Sequence, residues 1–558
     1  MKRNGSDILV ECLLEQGVDT VFGYPGGAVL NIYDALYKYS DRIRHVLTAH
    51  EQGASHAADG YARATGRVGV CIATSGPGAT NLVTGIATAY MDSIPIVAIT
   101  GNVAVPLLGR DSFQEVDITG ITMPITKHNF IVKQVEDLAD TVRQAFQIAQ
   151  SGRPGPVLID LPKDITAAVT EYEPCPAVEP RPHIPPKEER IQMTLDRLKS
   201  SERPLIYFGG GVISSGAEAE LLALAEGQDI PVCSSMMGLG GFPPDHRLWL
   251  GMVGMHGTLA ANRAARECDL LLTCGARFSD RVAGSTTGFA PHAQVIHMDI
   301  DHAEFDKNVS VTVRLAGDLK EVLGILTKRT DRRTHPAWVE QVTALKRKVP
   351  APSASQADPA DPLEILRTLR RLTPDDTIVA TDVGQHQMWT AQHFEFRQPR
   401  TLLSSGGLGT MGYGLGAAIG AQAAFPDRRV VLVSGDGSIH MNLNELTTLA
   451  SYNLPIVVVV MNNRVLGMVR QWQKVFYGRR FSATDPHRKT DLVKLAEAFG
   501  CTGMRITTTG DIEPVLRAAL GKSGPVLVDC QISPDANVLP MIPPGGTVEE
   551  IIEEMDED

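Results

Sequence analysis

The sequence predicts an α/β protein of three doubly wound parallel-sheet domains, the first and third alike. Three observations carry that expectation. Short apolar runs without polar alternation, such as PIVVVVM (455–461), recur along the 558 residues, and many end in Gly- or Asn-rich turns. Strands buried on both faces read this way, and strand–helix–strand units close as right-handed parallel crossovers. Residues 68–100 (VGVCIATSGPGATNLVTGIATAYMDSIPIVAIT) and 430–461 then follow one plan: strand, glycine turn, helix near Asn-Leu, Pro-Ile-Val and a second strand. Pro95 and Pro455 mark the same point in each. A solenoid would repeat about every 20–50 residues, so two similar domains fit better; patterning shared by unrelated strand–helix–strand units is the alternative. Finally, PCPAVEPRPHIPPKEER (174–190) and KVPAPSASQADPADP (348–362) read as linkers.

These breaks divide the chain into 1–173, a central 190–347, 362–532 and a tail, 533–558. The central segment has its own strand candidates in PLIYFGGG (204–211), CDLLLTCGAR (268–277) and QVIHMDID (294–301). The tail, with MIPPGG and then acidic residues, reads as a surface-running extension that covers a site or ends in a disordered tip.

Composition excludes several classes. The 52 basic and 64 acidic residues give a net charge of −12, and no basic block suggests nucleic acid. No apolar run approaches a membrane span, and the N-terminus lacks the continuous apolar region of a signal peptide. Eight scattered cysteines without C-x-x-C pairs read as reduced thiols in a cytoplasmic protein.

The most informative stretch is VVLVSGDGSIHMNLNELTTLASYNLPIVVVVMNNRVLGM (430–468). An apolar run, 430–434, ends in Gly435-Asp436-Gly437-Ser438. A helix-like segment, about 444–452, follows, and then a second run ending in Asn462-Asn463. A parallel crossover finishes both strands on one sheet edge, where open α/β folds place ligands. Asp436 and Asn463, 27 positions apart (463 − 436), thereby become neighbours. A carboxylate, an amide oxygen and a nearby backbone carbonyl suit Mg²⁺, which keeps its other positions for phosphate oxygens and water. The glycines let the backbone approach phosphates and offer N–H groups. Each half alone is also an ordinary turn or strand end; the pair at this spacing resembles a thiamine-diphosphate motif.

Further motifs sharpen the resemblance: YPGGAV (24–29), HEQGA (50–54), SGPGATN (75–81), DSFQE (111–115), GRPGPVLIDLPKD (152–164), RFSDR (277–281), GQHQMW (384–389), GLGTMGYG (407–414) and GMVRQWQ (467–473). Together they resemble the catalytic subunits of the acetohydroxyacid synthase (acetolactate synthase) family over about residues 5–551. GDG…NN and HEQGA are shared by many thiamine-diphosphate enzymes; RFSDR, GQHQMW and GMVRQWQ are narrower.

The resemblance implies thiamine diphosphate, Mg²⁺ and FAD as cofactors, with FAD in the middle domain and without net redox role. It implies decarboxylation of pyruvate and condensation of the hydroxyethyl unit with pyruvate or 2-oxobutyrate, giving 2-acetolactate or 2-aceto-2-hydroxybutyrate in branched-chain amino-acid synthesis. It also implies a homodimer or homotetramer and a small regulatory subunit. Glu51, where a strand meets a helix of small residues, would hydrogen-bond the aminopyrimidine and drive its imino tautomer. On the first domain Tyr24, Pro25, Gly26, Pro77 and Asn81 would bind the cofactor, and Gly27 would join Glu51 among the catalytic residues. Val383, Gly384, Gln385 and His386 would hold the diphosphate, with Gly409 and Met411 beneath the cofactor; Met411 alone also reads as a core gap-filler. Gly467 and Met468 adjoin this site. Mg²⁺ would take Asp436, Asn463 and the carbonyl of Val465.

Gly209, Gly210, Gly211, Gly254, Met255, His256, Gly257, Asp299 and Asp318, with Arg153 and Arg277, are the flavin candidates. Arg277 would bind the acceptor carboxylate through its guanidinium, Trp472 would wall the acceptor pocket, and Phe113, Gln114 and Lys163 would line the same cavity. Gly416, where the family has Pro, is expected to loosen a helix start. A flavin-independent catabolic acetolactate synthase or a pyruvate oxidase-like enzyme is the alternative.

Overall fold

The structure, a computed structural model, describes residues 1–285, 288–346 and 358–555. Three six-stranded parallel sheets organise it. The first runs Arg44–Leu47, Thr20–Gly23, Gly69–Ala73, Ile96–Asn102, Val157–Pro162 and His128–Ile131. The third runs Leu402–Leu403, Ile378–Thr381, Val430–Gly435, Val457–Asn462, Val526–Gln531 and Thr502–Ile506. Numbered along the chain within its own domain, each sheet has the order 2-1-3-4-6-5, so the internal echo is one of topology. The middle sheet has the order 3-2-1-4-5-6, which opens a crevice where the strand order reverses, between Pro204–Phe208 and Leu270–Cys274.

The like domains share one core. Helices Glu51–Thr65 and Tyr413–Ala424 pack against each other through small residues. A Cβ added to Gly60 would lie 2.2 Å from the Ala417 carbonyl oxygen, and one on Gly420 1.9 Å from that of Ala57. Such contacts require glycine for space. Gly416 belongs here too: it lies inside the helix, where a Cβ would meet His56 Cβ at 2.7 Å. It serves close approach of the two helices, which corrects the expected loosened helix start.

A buried polar network crosses the same interface. Arg63 donates to Asp59 (2.6 Å) and Asp92 (2.9 Å), and Tyr413 Oη donates to Asp59 (2.6 Å). Asp92 also accepts the N–H groups of Gly406 and Gly407 at 2.9 and 2.7 Å. These charges are paired and hydrogen-bonded, as burial demands.

Residues 172–187 have no helix or strand, and the last three residues of the expected linker, 188–190, already belong to the helix Glu188–Ser200. Most of the second expected linker lies outside the described residues. Residues 533–555 run over the middle domain and the Gly467–Phe476 helix. The Ile542 N–H donates to the Met255 carbonyl (2.8 Å), Gln471 holds Val538 from both backbone groups, and Arg263 and Arg266 face Glu549. The last three residues, 556–558, lie outside the description. Seven of the eight cysteines are buried, with Cys175 exposed. Among the described residues no helix is long and apolar enough to cross a membrane.

Candidate active site

The third domain builds one half of the site. Gly435 pairs with Met461 across parallel strands, so the following residues, Asp436 and Asn463, emerge on one edge. The Asn463 N–H points at the Asp436 carboxylate. Burial raises the Asp436 pKa to about 6, opposed by Arg488, whose Nη1 lies 3.5 Å away. Asn463 Nδ2 donates to Gln385 Oε1 (3.1 Å), and its Oδ1 accepts the Val465 N–H (3.1 Å). Gln385 is fixed in turn by Gln471 (3.0 Å) and the Ala536 carbonyl (2.8 Å). Gly467 sits against Gln385 and Asn463 so closely that a Cβ would collide with both side chains.

Ser438 Oγ donates to the Val383 carbonyl (2.9 Å), joining the turn to the Gly384–His386 segment. His386 is buried, and desolvation lowers its pKa to about 3, so the ring is neutral. Its Nε2 has no hydrogen-bond partner. Met411, half-buried, brings its methyl group toward Gly437.

An acidic residue that the motifs did not single out organises the loop between them. Asp382, fully buried, accepts the N–H groups of Gly412 (3.0 Å) and Gly414 (2.8 Å), while Ser434 donates to its other oxygen (2.5 Å). Burial raises its pKa. The detectable signal was an acid closing the strand Ile378–Thr381.

The first domain builds the other half. Glu51 opens the Glu51–Thr65 helix, whose N-cap is His50. Its Oε2 accepts from Asn81 Nδ2 (3.0 Å), and Gly78 makes room beside Oε1. Pro77 starts the short helix that carries Asn81. Tyr24 to Gly27 follow the strand Thr20–Gly23; Tyr24 is exposed, and nothing crowds Gly27.

A cavity of about 690 Å³ lies among the middle domain, the third domain and the edge of the first. Gly209, Gly210, Gly211, Met255, His256, Arg277, Asp299 and Arg153 reach it from one side. Val383, Gly384, Gly409, Met468 and Trp472 reach it from the other. The glycine turn permits this shape, since a Cβ on Gly211 would meet Gly275 Cα at 2.6 Å. Arg153 bridges Asp301 and Glu304 at 3.1 and 2.6 Å. Trp472 carries the Arg281 guanidinium 5.5 Å from its ring centre and leaves its buried Nε1 unpaired.

Some expected members lie elsewhere. Asp318 caps the Leu319–Arg329 helix through Oδ1, which explains that acid without a ligand. Gly254 and Gly257 stand beside the cavity rather than on its wall: the Gly254 backbone is clamped by Asn262, and a Cβ on Gly257 would strike the Met252 carbonyl. Phe113, Gln114 and Lys163 do not line this cavity in the single chain, contrary to expectation. Phe113 is 88 % exposed, and Lys163 begins a surface helix of the first domain.

The residues fit the implied groups. A carboxyl beside an amide side chain and the Val465 backbone matches the oxygen-rich donor set of Mg²⁺, although among the described residues no cluster of three or more His, Cys, Asp or Glu forms a metal site. The unpaired His386 Nε2 and the glycine turn suit a diphosphate. The middle-domain crevice, with Gly209–Gly211 at the strand-order reversal, suits a dinucleotide.

Comparison with known proteins identifies the family. Residues 3–121 match "Thiamine pyrophosphate enzyme, N-terminal TPP binding domain", 191–326 its "central domain" and 382–530 its "C-terminal TPP binding domain". The "Probable acetolactate synthase large subunit" of Methanocaldococcus jannaschii is 49% identical over 98% of this chain and 95% of that protein. The acetolactate synthase large subunit of Parasynechococcus marenigrum is 48% identical over 97% and 90%. The isozyme 2 large subunit of Escherichia coli K12 is 46% identical over 99% and 100%. The chain therefore belongs to the thiamine pyrophosphate enzymes, within their acetolactate synthase large-subunit family.

Proposed function

We propose that this chain is the catalytic subunit of an anabolic acetohydroxyacid synthase. It decarboxylates pyruvate and joins the two-carbon unit to pyruvate or 2-oxobutyrate. The observation that carries this reading is continuity: the Asp436–Ser438 turn is bonded to Val383, which lines the same cavity as Arg277 and Trp472. A cofactor held at the turn through Val383–His386 thus meets a space with a guanidinium for a carboxylate and an indole for an alkyl group.

Thiamine diphosphate, when bound, supplies the electron sink for decarboxylation. Asp436, Asn463 and the Val465 carbonyl would hold Mg²⁺, and the Val383–His386 segment would hold the diphosphate. Glu51, buried and steadied by Asn81, would hold or release a proton at the cofactor's ring nitrogen. Gly209–Gly211, Arg153 and Asp299 would hold FAD in a structural role. Phe113, Gln114 and Lys163, displayed on the first domain, would complete the pocket of a second copy, making the enzyme a homodimer or larger. A small regulatory subunit and a cytoplasmic location accord with this reading.

The test is anaerobic turnover of purified protein with pyruvate, thiamine diphosphate and Mg²⁺, with and without FAD and 2-oxobutyrate, products identified directly. Acetolactate that requires FAD, with acetohydroxybutyrate dominating the mixed reaction, is expected. FAD-independent acetolactate would mark a catabolic enzyme, and acetaldehyde alone a decarboxylase. Removing Mg²⁺ with EDTA during a cofactor titration should abolish tight thiamine diphosphate binding.

A further inference from the structure

Glu445 is a buried acid to which the reaction assigns nothing. It lies in the crossover that begins at Asp436, closing the turn Leu443–Glu445, and its side chain is fully buried. It reaches into the first domain of the same chain. Oε1 accepts the His50 N–H at 3.0 Å and Oε2 the Ala49 N–H at 3.1 Å, while Thr448 Oγ1 donates to Oε2 at 2.5 Å. Among the described residues no Lys, Arg or His forms an ion pair with it. A carboxylate placed out of water without a cation is costly, so its cost is offset by these three donors. The two backbone donors immediately precede Glu51.

Neighbouring groups are shaped to this contact. A Cβ on Gly53 would lie 2.1 Å from Glu445 Oε1 and 2.4 Å from its Cδ, so any larger residue at 53 displaces the carboxylate. The glycine of HEQGA thereby acquires a physical reason. A second tie comes from the same crossover, where Tyr452 Oη accepts the Leu47 N–H at 2.8 Å. The strand-to-helix corner that presents Glu51 is thus held from one side by Glu445 and Tyr452. From the other, Asn81 holds the Glu51 carboxylate itself.

We infer that Glu445 is a positioning residue for Glu51: its carboxylate clamps the backbone of Ala49 and His50 and so fixes the angle at which Glu51 meets the cofactor. This rests on the proposed role of Glu51. The clamp acts chiefly on acid–base function, because it touches no group assigned to the diphosphate or metal and leaves the Glu51 side chain itself in place.

The test compares Glu445→Gln, Glu51→Gln, the double variant and Gly53→Ala in the full-length protein. Gln keeps the shape, but its amide NH₂ opposes one of the two backbone donors. The readouts are apoprotein melting, thiamine diphosphate affinity by tryptophan fluorescence, exchange of the cofactor C2 proton for deuterium by NMR, and KM against kcat for pyruvate. General acid–base catalysis is worth about 10²–10⁴-fold, so a misaimed Glu51 should slow exchange and kcat by about tenfold or more. Cofactor affinity and KM should stay within about threefold. The double variant should be no slower than Glu51→Gln, since both act through one group. Gly53→Ala, which moves the carboxylate without deleting it, should reproduce the slow exchange even if Glu445→Gln folds poorly. Wild-type exchange in both Glu445→Gln and Gly53→Ala, with Glu51→Gln slow, overturns the positioning role. A multiplicative double variant also overturns it, because the clamp would then act elsewhere. Normal exchange in Glu51→Gln instead overturns the role of Glu51, and the clamp loses its object.

Discussion

Gly420→Ala sets two magnitudes against each other. In an open helix this change is favourable by about 1 kcal/mol, because alanine has the higher helix propensity. Here the new Cβ would lie 1.9 Å from the Ala57 carbonyl oxygen, which belongs to helix backbone and cannot swing aside. Reaching even a tight contact of about 3.0 Å requires the helices to part by about 1.1 Å (3.0 − 1.9), loosening the core shared by both domains. Overpacking costs typically about 1–3 kcal/mol, and this rigid contact belongs at the upper end. Subtracting the propensity gain leaves about 2 kcal/mol of destabilisation, or roughly 4–8 °C for a domain of 150–250 residues. Gly227→Ala is the control: it lies within the Glu218–Gln228 helix with nothing within 4 Å of the new Cβ, and should raise melting slightly. Scanning calorimetry of both variants decides. If Gly420→Ala melts at or above wild type while Gly227→Ala behaves as expected, the close-packed interface is not the constraint argued here.

Two further outcomes are expected. Trp472→Leu should erode the preference for 2-oxobutyrate over pyruvate, since one methylene in an apolar pocket is worth about 1–3 kcal/mol; competition assays reading the product ratio check this, and an unchanged ratio removes Trp472 from the acceptor pocket. Asp160, buried beside Thr100 and Asn102, has its pKa raised by burial to about 6. The unfolded chain ionises it near the ordinary 3.8, so between those values the folded chain holds the extra proton and stability falls as pH rises, by up to about 1.4 kcal/mol per unit. Asp160→Asn should remove this slope, and its melting temperature relative to wild type should climb from pH 4 to 6 and then level off.

How much of this was legible in the chain follows from what each contact depends on. Asp436 and Asn463 could be paired because a parallel crossover leaves one answer for where two strands end. The expected strands overlap the observed ones with bounds off by up to three residues, because the apolar runs had few alternatives while the flanking glycine turns were read into them. Glu445 could not be found, because its partners are backbone groups nearly 400 residues away that have no side-chain signature. Asp382 showed only as an acid closing a strand, because its donors, the N–H groups of Gly412 and Gly414 and the Ser434 hydroxyl, lie far along the chain. The small residues of EQGASHAADGYARAT and YGLGAAIGAQAA announced helices; that they announced one close-packed interface needed the partner helix in view. The tail's path over Met255 depends on backbone pairing, which composition does not encode.

The placement of Glu51 has one more consequence. Its carboxylate faces Asn81 and Gly78, both in its own domain, while Arg277 and Trp472 line a cavity that Glu51 does not. The shared helix interface fixes these halves relative to one another, so closing them by hinge motion within one chain would break the Glu51–Thr65 to Tyr413–Ala424 contact. On the proposed function, and in the homodimer that the family resemblance implies, the acid and the metal–diphosphate turn would meet across a two-fold interface, each chain lending Glu51 to one site and Asp436 to the other. Glu51→Gln and Asp436→Ala should each be inactive as homodimers. Co-refolded in equal amounts, half the dimers are mixed, and each mixed dimer has one site with both native groups and one with neither. Activity should return to roughly a quarter of wild type per site, as expected for random two-fold assembly. Silence of the mixture, with mixed dimers demonstrated by mass spectrometry, would place Glu51 and Asp436 of a single chain in the same site.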